Sequence, residues 1–262
     1  MTRLRGDSTT NASDSGPGLH GAWNFRDVAA TTTGESQELT AGLLFRSSTL
    51  SALTPDGGDF LRSLGVQVAV DLRSAYELAV HGVDAVPAGI EVLHRPFEPG
   101  MAADAPHVLP PMPDDDYRVS YMRRSYKAFA ELEGVGAAIS TVVDLLLETP
   151  ARTVVVHCAA GKDRTGWVIA VVLLAAGVPM RAVATDYLES NRAVGTLRDF
   201  LVSHEAQADL SELLLGVRID YLNAALAAVD EKYGSFAKYL DVVGLDDVRR
   251  RALRRVLAAK SH

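Results

Sequence analysis

One short segment constrains the fold of this chain more than any other. Residues 153–156 have the pattern of a buried strand, and residues 165–176 are apolar on nearly every side, which indicates a central helix. The eight residues between them include Ala159, Ala160 and Gly161, which leave little bulk in the connection. A buried strand joined this tightly to a buried helix predicts a parallel sheet with helices on its faces.

The rest of the chain alternates between strand and helix patterns. Strands are predicted at residues 43–45, 66–72 and 90–93. Helices are predicted at 54–64, 74–80, 117–148 with a break near Gly134, 180–189, 217–232 and 246–259. We therefore expect an α/β fold in which helices flank a central, mostly parallel sheet, with a second half that is mainly helical.

Composition divides the chain into a tail and one domain. Residues 1–19 are rich in Ser, Thr, Asn and Gly, so we expect a flexible N-terminal tail without the apolar segment of a signal peptide. The chain is 48% apolar, and residues 20–262 are expected to form a single domain. Within it, residues 96–116 hold six of the eleven prolines and predict a long exposed loop, either functional or disordered.

Charge and residue counts exclude several classes of protein. A net charge of −7 argues against nucleic-acid binding, which favours a basic face. The longest apolar stretch, residues 166–178, is too short to span a membrane, so we expect no stable membrane insertion. Cys158 is the only cysteine and the seven histidines lack metal-ligand spacing, so we expect neither an intrachain disulfide nor a metal. No cofactor is expected either.

The connection between strand and helix has the residues of a nucleophilic phosphate site. Cys158 follows the strand directly, and Arg164 comes six residues later, at the start of the helix. Ligands bind beyond the carboxyl ends of parallel strands, and a helix N-terminus offers free N–H groups to anions. We therefore predict that the amides of Ala159, Ala160 and Gly161 wrap around a phosphate or another anion, with Cys158 as the nucleophile.

Four more side chains complete this predicted site. Lys162, Arg164 and the helix N-terminus favour the thiolate of Cys158, which is the reactive form. Arg164 offers a planar fork for two phosphoryl oxygens, and Thr165 is placed to stabilise the thiolate when it leaves. Asp163 is a candidate for proton transfer, and its place in the loop also makes it a candidate for substrate binding together with Lys162.

The segment has two competing interpretations. A lone cysteine is more often a small buried apolar residue than a nucleophile, and the Cys-x5-Arg spacing alone is weakly specific. The whole string His-Cys-x-x-Gly-x-x-Arg-Thr-Gly is far more restrictive and favours the nucleophile. A nucleotide-binding loop is the other phosphate motif, but Asp163 stands where that motif needs Ser or Thr after its Gly-Lys pair.

Other charged residues near the predicted site have mainly structural interpretations. We predict that His157 orients the loop through a hydrogen bond, and that Asp71 and Arg73 form an ion pair. Asp27 is predicted to pack against the loop. Two arginines are weaker candidates for adding positive charge around the phosphate, Arg26 and Arg46.

Further segments form a series of landmarks along the chain. They read Gly-Ala-Trp-Asn-Phe-Arg-Asp-Val from Gly21, Leu-Phe-Arg-Ser from Leu44, Asp-Leu-Arg-Ser from Asp71, Asp-Tyr-Leu from Asp186 and Gly-Val-Arg from Gly216. Together with residues 157–166, they resemble the landmarks of the Cys-dependent protein tyrosine phosphatases, specifically the bacterial branch typified by mycobacterial protein tyrosine phosphatase B. The resemblance covers most of the chain from about residue 20.

The resemblance implies a tyrosine-phosphatase-like fold, no metal, and hydrolysis of phosphotyrosine through a cysteinyl-phosphate intermediate. It also implies activity on phosphoserine, phosphothreonine and phosphoinositides, a property that the Lys162-Asp163 pair resembles. The expected partners are therefore a phosphorylated protein or a phosphoinositide. The alternatives are a phosphoinositide-preferring phosphatase, a non-catalytic phospho-ligand module, and a sulfur-transfer or arsenate-reducing enzyme. The expected location is the cytoplasm, with export without a recognisable signal peptide as the alternative.

The chain departs from this branch at two places. The mycobacterial member has an Asp, its candidate general acid, after a Pro-Phe-Pro stretch, whereas this chain has Pro96-Phe97-Glu98-Pro99. Glu98 and Asp163 are therefore the two candidate acids, and we favour Asp163 because the loop fixes it beside Cys158. The interval 192–215 corresponds to a helical lid and is shorter here, so we expect either an abbreviated lid or an ordinary packed helix pair.

Overall fold

The structure, a computed structural model, describes residues 19–32, 39–97, 112–203 and 209–258, which include one five-stranded sheet in the order β1-β2-β5-β3-β4. The strands are β1 (Arg26–Asp27), β2 (Leu44–Ser47), β3 (Val68–Asp71), β4 (Glu91–His94) and β5 (Val154–His157). Neighbouring strands from β2 to β4 are parallel, and β1 runs antiparallel to β2. The expected α/β fold with a mostly parallel sheet is confirmed.

Helices follow every strand, and most of them lie in the second half of the chain. They are α1 (Val28–Thr31), α2 (Pro55–Ser63), α3 (Ala75–His81), α4 (Asp115–Ala128), α5 (Val135–Leu147), α6 (Asp163–Ala175), α7 (Met180–Glu189), α8 (Val194–Ser203), α9 (Glu212–Leu215), α10 (Ile219–Tyr233), α11 (Phe236–Val242) and α12 (Asp247–Leu257). Short 3-10 turns at Phe129–Glu131 and Ser190–Ala193 extend α4 and α7.

The register of the parallel strands brings three strand ends to one edge of the sheet. Ser47 and Asp71 are the last residues of β2 and β3, and both are in register with His157, the last residue of β5. Cys158 is the next residue, so it leaves the sheet between β2 and β3. This carboxyl edge is where parallel sheets bind their ligands.

The central strand divides its side chains between two apolar cores. Val154 and Val156 belong to the core that includes α5 and α6, whereas Val155 lies in the opposite core with Phe45 and Leu61. Helix α6 is buried along most of its length, and its Trp167 is fully buried. The apolar pattern of residues 165–176 therefore predicted a central helix correctly.

Two helices begin where local capping signals place them. Thr54 accepts a hydrogen bond from the amide of Gly57 and caps α2, as the Thr-Pro pair predicts. Ser74 and Glu77 form a reciprocal capping box at α3, in which each side chain accepts from the other residue's amide. The capping box fixes Glu77 at the start of α3, beside the carboxyl end of β3.

Several boundaries differ from the sequence prediction. Helix α6 begins at Asp163 instead of residue 165, because Lys162 is its N-cap without any side-chain cap to mark the position. The two-residue β1 and four-residue α1 were not predicted, since such short elements show no measurable hydrophobic period. Helix α11 was also missed, and α4 begins at Asp115, inside the predicted loop.

Parts of several predictions fall outside the described residues. These are residues 1–18 of the predicted tail, residues 98–111 of the predicted proline-rich loop, residues 204–208 of the interval that corresponds to a lid, and residue 259 of the last predicted helix. Among the residues that the structure describes, no helix is both long enough and apolar enough to cross a membrane.

Helix α12 offers a test of how strongly the C-terminal helix is bound to the core. Leu253 is fully buried, whereas Val248 on the same helix is 63% exposed. We expect Leu253→Ala to lower the free energy of unfolding by about 2–5 kcal/mol, because it leaves a cavity in the core. The control Val248→Ala should change it by less than about 0.5 kcal/mol in urea denaturation. Equal effects of the two substitutions would show that α12 is not packed as described.

Candidate active site

The loop between β5 and α6, residues 158–162, is held from outside by Asn24. The Nδ2 atom of Asn24 donates to the carbonyls of Ala160 and Gly161 at 3.1 and 2.9 Å. Asn24 itself has a φ of 55°, a left-handed conformation that Asn tolerates better than most residues. This conformation places an amide side chain against two consecutive carbonyls of the loop.

Two further donors bind the same face of the loop. Arg46 Nη2 donates to the Gly161 carbonyl at 2.7 Å, and the Thr49 amide donates to the Ala159 carbonyl at 3.0 Å. Among the described residues, no amide from 159 to 162 donates to a protein acceptor. Carbonyls bound on one side leave the amides free on the other, and successive free amides form a concave anion site.

Gly161 is the residue that permits this close approach. Its φ is +67°, and a Cβ atom placed there would lie 2.1 Å from the Ser47 carbonyl oxygen. Only glycine combines that backbone conformation with so little space. The small residue expected at this position is therefore a steric requirement of the loop.

Arg164 is the second residue of α6, and it lies close enough to Cys158 to interact with it electrostatically. Its Nη1 and Nη2 atoms donate to the two carboxylate oxygens of Glu77 at 2.6 and 2.5 Å, and Nη1 also donates to the Leu72 carbonyl at 3.3 Å. Burial opposes the charge of Arg164, but the hydrogen bonds to Glu77 and the attraction of Cys158 raise its pKa above the ordinary value. Arg164 therefore stays cationic beside Cys158, which is itself buried.

The Lys162 side chain leaves the loop. Its Nζ atom donates to the carbonyls of Leu214 and Gly216 at 2.8 and 3.2 Å, and it pairs with Asp163 at 2.9 Å. The ammonium group thus connects the loop to the carboxyl end of α9 and to the residue that follows it. A role for Lys162 in substrate binding, predicted from the sequence, stays a prediction.

The remaining predicted site residues have distinct surroundings. Asp163 is the first residue of α6, and its Oδ1 atom accepts a hydrogen bond from the Tyr126 hydroxyl at 2.7 Å. The Thr165 hydroxyl is buried and has no hydrogen-bond partner among the described residues. Glu98, the other candidate acid, lies outside the described residues.

A loop of free amides that joins a buried cysteine to a cationic arginine suits attack on a phosphate ester. Residues 17–259 match the model of a family described as the tyrosine phosphatase family. The chain belongs to this family. The predicted resemblance is confirmed, and with it the class of enzyme, a phosphatase that acts on phosphorylated substrates.

Two curated relatives have the same kind of description. The chain is 39% identical over 276 residues to the triple specificity protein phosphatase PtpB of Mycobacterium tuberculosis, covering 91% of this chain and 98% of that protein. It is 26% identical over 233 residues to a candidate tyrosine-protein phosphatase of Cupriavidus necator, covering 83% and 80%. The crystal structure of P. aeruginosa TpbA gives a TM-score of 0.32 at 19% identity over 69% of this chain and 90% of that chain.

A buried ion cluster supports the phosphatase loop from behind. Asp186 pairs with Arg26 at 2.9 Å and with Arg46 at 2.5 Å. Burial together with repulsion from Arg46 lowers the pKa of Arg26 to about 10, and both arginines hold the pKa of Asp186 below its ordinary value despite burial. Arg26 and Arg46, the weaker candidates for adding positive charge around the phosphate, both pair with Asp186, and Arg46 also donates to the Gly161 carbonyl on the outer face of the loop.

The predicted role of Asp27 was wrong. Its carboxylate accepts from the amides of Ala29 at 2.9 Å and Gly42 at 2.7 Å. It therefore caps α1 and binds the turn before β2. The phosphatase loop is contacted instead by Asn24, three residues earlier.

His157 belongs to a second buried cluster beneath the loop. Its Nε2 atom lies 2.8 Å from Asp84 Oδ2, which is the orienting hydrogen bond that the sequence predicts. Arg73 pairs with Asp71 at 2.8 Å, as predicted, and also with Asp84 at 2.7 Å. Asp71, Asp84 and His157 are close enough together to resemble a metal-ligand set. Arg73 pairs with both carboxylates, so each of them already has a cationic partner from the protein.

Four residues of the site were missed as functional candidates, and three of them carry sequence signals. Asn24 stands within the Gly21 landmark, and Asp186 opens another. Glu77 follows Ser74 by three residues, the spacing of a capping box. The sequence around Tyr126 shows only that this residue lies on the apolar face of a predicted helix. That position predicts a buried side chain but does not predict what its hydroxyl binds.

The steric role of Gly161 can be tested by adding one methyl group. We expect Gly161→Ala to lower kcat/KM for p-nitrophenyl phosphate by about a hundredfold, because displacing the Ser47 carbonyl misplaces the loop amides. In the control Gly195→Ala on α8, the new Cβ meets no heavy atom within 4 Å, so kcat/KM should be unchanged. A fully active Gly161→Ala enzyme would contradict the described loop conformation.

The pair Glu77–Arg164 predicts a pH dependence of stability. Burial alone would raise the pKa of Glu77, but the hydrogen bonds and charge of Arg164 bring it below the ordinary value. A lowered pKa stabilises the fold above the pKa of the unfolded state, about 4.3, and this stabilisation is lost as the pH falls. We therefore expect Glu77→Gln to cost about 1–3 kcal/mol at pH 7 and progressively less below pH about 4.5.

Urea denaturation between pH 3.5 and pH 8, in steps of about 0.5 pH unit, measures the difference in the free energy of unfolding between Glu77→Gln and the wild type. Glu91→Gln serves as the control, because Glu91 forms an exposed pair with Arg152 and should show little loss at any pH. A loss for Glu77→Gln that does not change with pH would contradict the assigned ion pair.

Proposed function

We propose that this phosphatase hydrolyses phosphotyrosine in proteins through a cysteinyl-phosphate on Cys158. The observation that carries the proposal is the loop whose carbonyls are bound outward by Asn24 and Arg46, with Cys158 at its base. That arrangement supports binding of a phosphoryl group above the sulfur atom. The charge of Arg164 supports the stabilisation of three phosphoryl oxygens in the transition state.

The reaction consists of two displacements at phosphorus. In the first, the Cys158 thiolate attacks, the S–P bond forms, the P–O bond to the leaving group breaks, and a carboxyl group protonates the leaving oxygen. In the second, water attacks, the S–P bond breaks, and a carboxylate takes the proton of the water. Thr165 donates its hydroxyl to the thiolate that leaves. Asp163 and Glu98 are the candidates for the proton transfers.

Broad substrate use is the second part of the proposal. The M. tuberculosis relative, at 39% identity, is described as a triple specificity protein phosphatase. We extend the substrates of this chain to phosphoserine, phosphothreonine and phosphoinositides on that basis and on the Lys162-Asp163 pair. The alternative is an enzyme that prefers phosphoinositides, since the same phosphate-binding loop also suits these substrates.

The other classes fit less well. A non-catalytic binding module does not need the nucleophile and the arginine, yet Cys158 and Arg164 are both present. Thiol-dependent arsenate reduction needs further cysteines, and the sequence has one. Because no second cysteine can protect Cys158 in an intrachain disulfide, the reducing cytoplasm is the compartment we propose.

The proposal is tested by phosphate release from a phosphotyrosine peptide, a phosphoserine peptide and phosphatidylinositol phosphates, measured side by side with a chelator present. We expect release from the phosphotyrosine peptide that survives the chelator. Cys158→Ser should lower it by at least about a thousandfold, because the hydroxyl is a much weaker nucleophile.

Circular dichroism of Cys158→Ser confirms that the variant is folded. Release that persists in Cys158→Ser would contradict the thiolate mechanism. No release from any substrate, with tight phosphate binding retained, would instead support the binding module. The ranking of the substrates decides between the tyrosine-directed and the phosphoinositide-preferring enzyme.

A further inference from the structure

A chain of hydrogen bonds runs from α7 through α4 to the start of α6. The Tyr187 hydroxyl donates to the Tyr126 hydroxyl at 2.7 Å, and the Tyr126 hydroxyl donates to Asp163 Oδ1 at 2.7 Å. Both tyrosines are buried, with exposures of 0% and 1% for Tyr126 and Tyr187. The chain therefore ends on a loop carboxylate that the sequence offers for proton transfer.

The direction of these hydrogen bonds is set by the charges that face Asp163. Burial, followed by the charge of Asp163, raises the pKa of Tyr126 and Tyr187 well above the ordinary value, so both remain O–H donors. Lys162 adds a cation at 2.9 Å from Oδ2. The titratable and charged groups that face Asp163 come from α4, α7, α10, the loop and α6 itself, namely Tyr126, Tyr187, Tyr221, Lys162 and Arg164.

We propose that Tyr126 is a positioning residue that fixes the carboxylate of Asp163 as the base for the second displacement. The Tyr126 hydroxyl donates to Oδ1 of Asp163, and Lys162 Nζ lies 3.2 Å from Oδ1 and 2.9 Å from Oδ2, so these contacts fix the orientation of the carboxylate. A carboxylate accepts a proton and has none to donate. Asp163 thus serves the hydrolysis of the cysteinyl-phosphate, instead of the protonation of the leaving oxygen that the sequence favours for it, and this assignment rests on the proposed function.

The step balances with the groups on the page and one water molecule. The water oxygen forms a bond to phosphorus while the S–P bond breaks and Cys158 leaves as a thiolate. One proton of the water passes to Asp163, which becomes neutral and later releases it to solvent. Tyr126 keeps its own proton throughout and fixes the carboxylate by its hydrogen bond.

The decisive variant is Tyr126→Phe, which removes the hydroxyl and keeps the buried ring. We expect kcat for p-nitrophenyl phosphate to fall about tenfold with KM within about twofold of wild type. Losing the donor disfavours the ionised carboxylate, so the acid limb of the kcat profile should move up by about one pH unit. The pre-steady-state burst of p-nitrophenol should persist, because the first displacement does not use this base.

Two matched variants distinguish the specific role of the Tyr126 hydroxyl from the general effect of removing a buried hydroxyl. Tyr187→Phe removes the donor to Tyr126 but leaves the hydrogen bond to Asp163, so it should shift the acid limb less. Tyr239 is equally buried, packs against Trp167 and lies outside the chain of hydrogen bonds. We expect Tyr239→Phe to leave both the acid limb and the burst unchanged.

Each remaining outcome decides against the proposal. An upward shift of the alkaline limb would mean that Asp163 acts as the protonated acid, and an unchanged profile would mean that Tyr126 only packs. If Tyr126→Phe fails to fold, Asp163→Asn takes its place, and loss of its burst would overturn the assignment to the second step. Absence of Cys158-dependent turnover in the wild type would overturn the proposed function and this inference together. Turnover with an unmoved acid limb overturns this inference alone.

Discussion

The site depends on the hydrogen bonds that bind the carbonyls of the β5–α6 loop on its outer face. A loop offers its amides to an anion only if its carbonyls have partners elsewhere, because an unpaired buried carbonyl costs about 1–3 kcal/mol. Arg46 is one of those partners, and it can be fully buried because Asp186 balances its charge. Asp186 also pairs with Arg26, so two arginines and one aspartate leave a net charge of +1 behind the loop that is proposed to bind an anion.

The position of Arg164 follows from a second local constraint, the capping box at α3. Its serine fixes Glu77, and Glu77 accepts from both terminal nitrogens of Arg164. A guanidinium group has five N–H donors. Glu77 uses two of them and the Leu72 carbonyl a third, which leaves Nε–H and one Nη2–H. These two lie on the same edge of the group, so the ion pair leaves a fork for two phosphoryl oxygens.

The sequence predicts those parts of the site that are local along the chain. Strand β5, the loop and α6 were predicted together because a buried strand, three small residues and an apolar helix are adjacent. The contacts that position the loop join distant residues, since Asn24 lies 136 residues from Ala160 and His157 lies 73 from Asp84. No local pattern encodes such pairs. The landmarks around Gly21 and Asp186 identify segments that contribute to the site. Which residue each side chain binds is determined only by the folded structure.

The breadth of substrate that we propose follows from how the loop is proposed to bind phosphate. Its donors are backbone amides and Arg164, and all of them address the phosphoryl oxygens that every phosphomonoester shares. Discrimination among leaving groups must therefore come from the rim. We propose as that rim the aromatic pair Trp23 and Phe200 of α8, whose rings lie 4.9 Å apart, because Trp23 packs against the same small apolar cluster as Ala160 of the loop. An aromatic rim favours a flat ring by its shape, yet it contributes few directional contacts that would reject an alkyl or inositol ester. A site of this kind is strongly selective for the phosphoryl group and only weakly selective for the alcohol to which it is esterified.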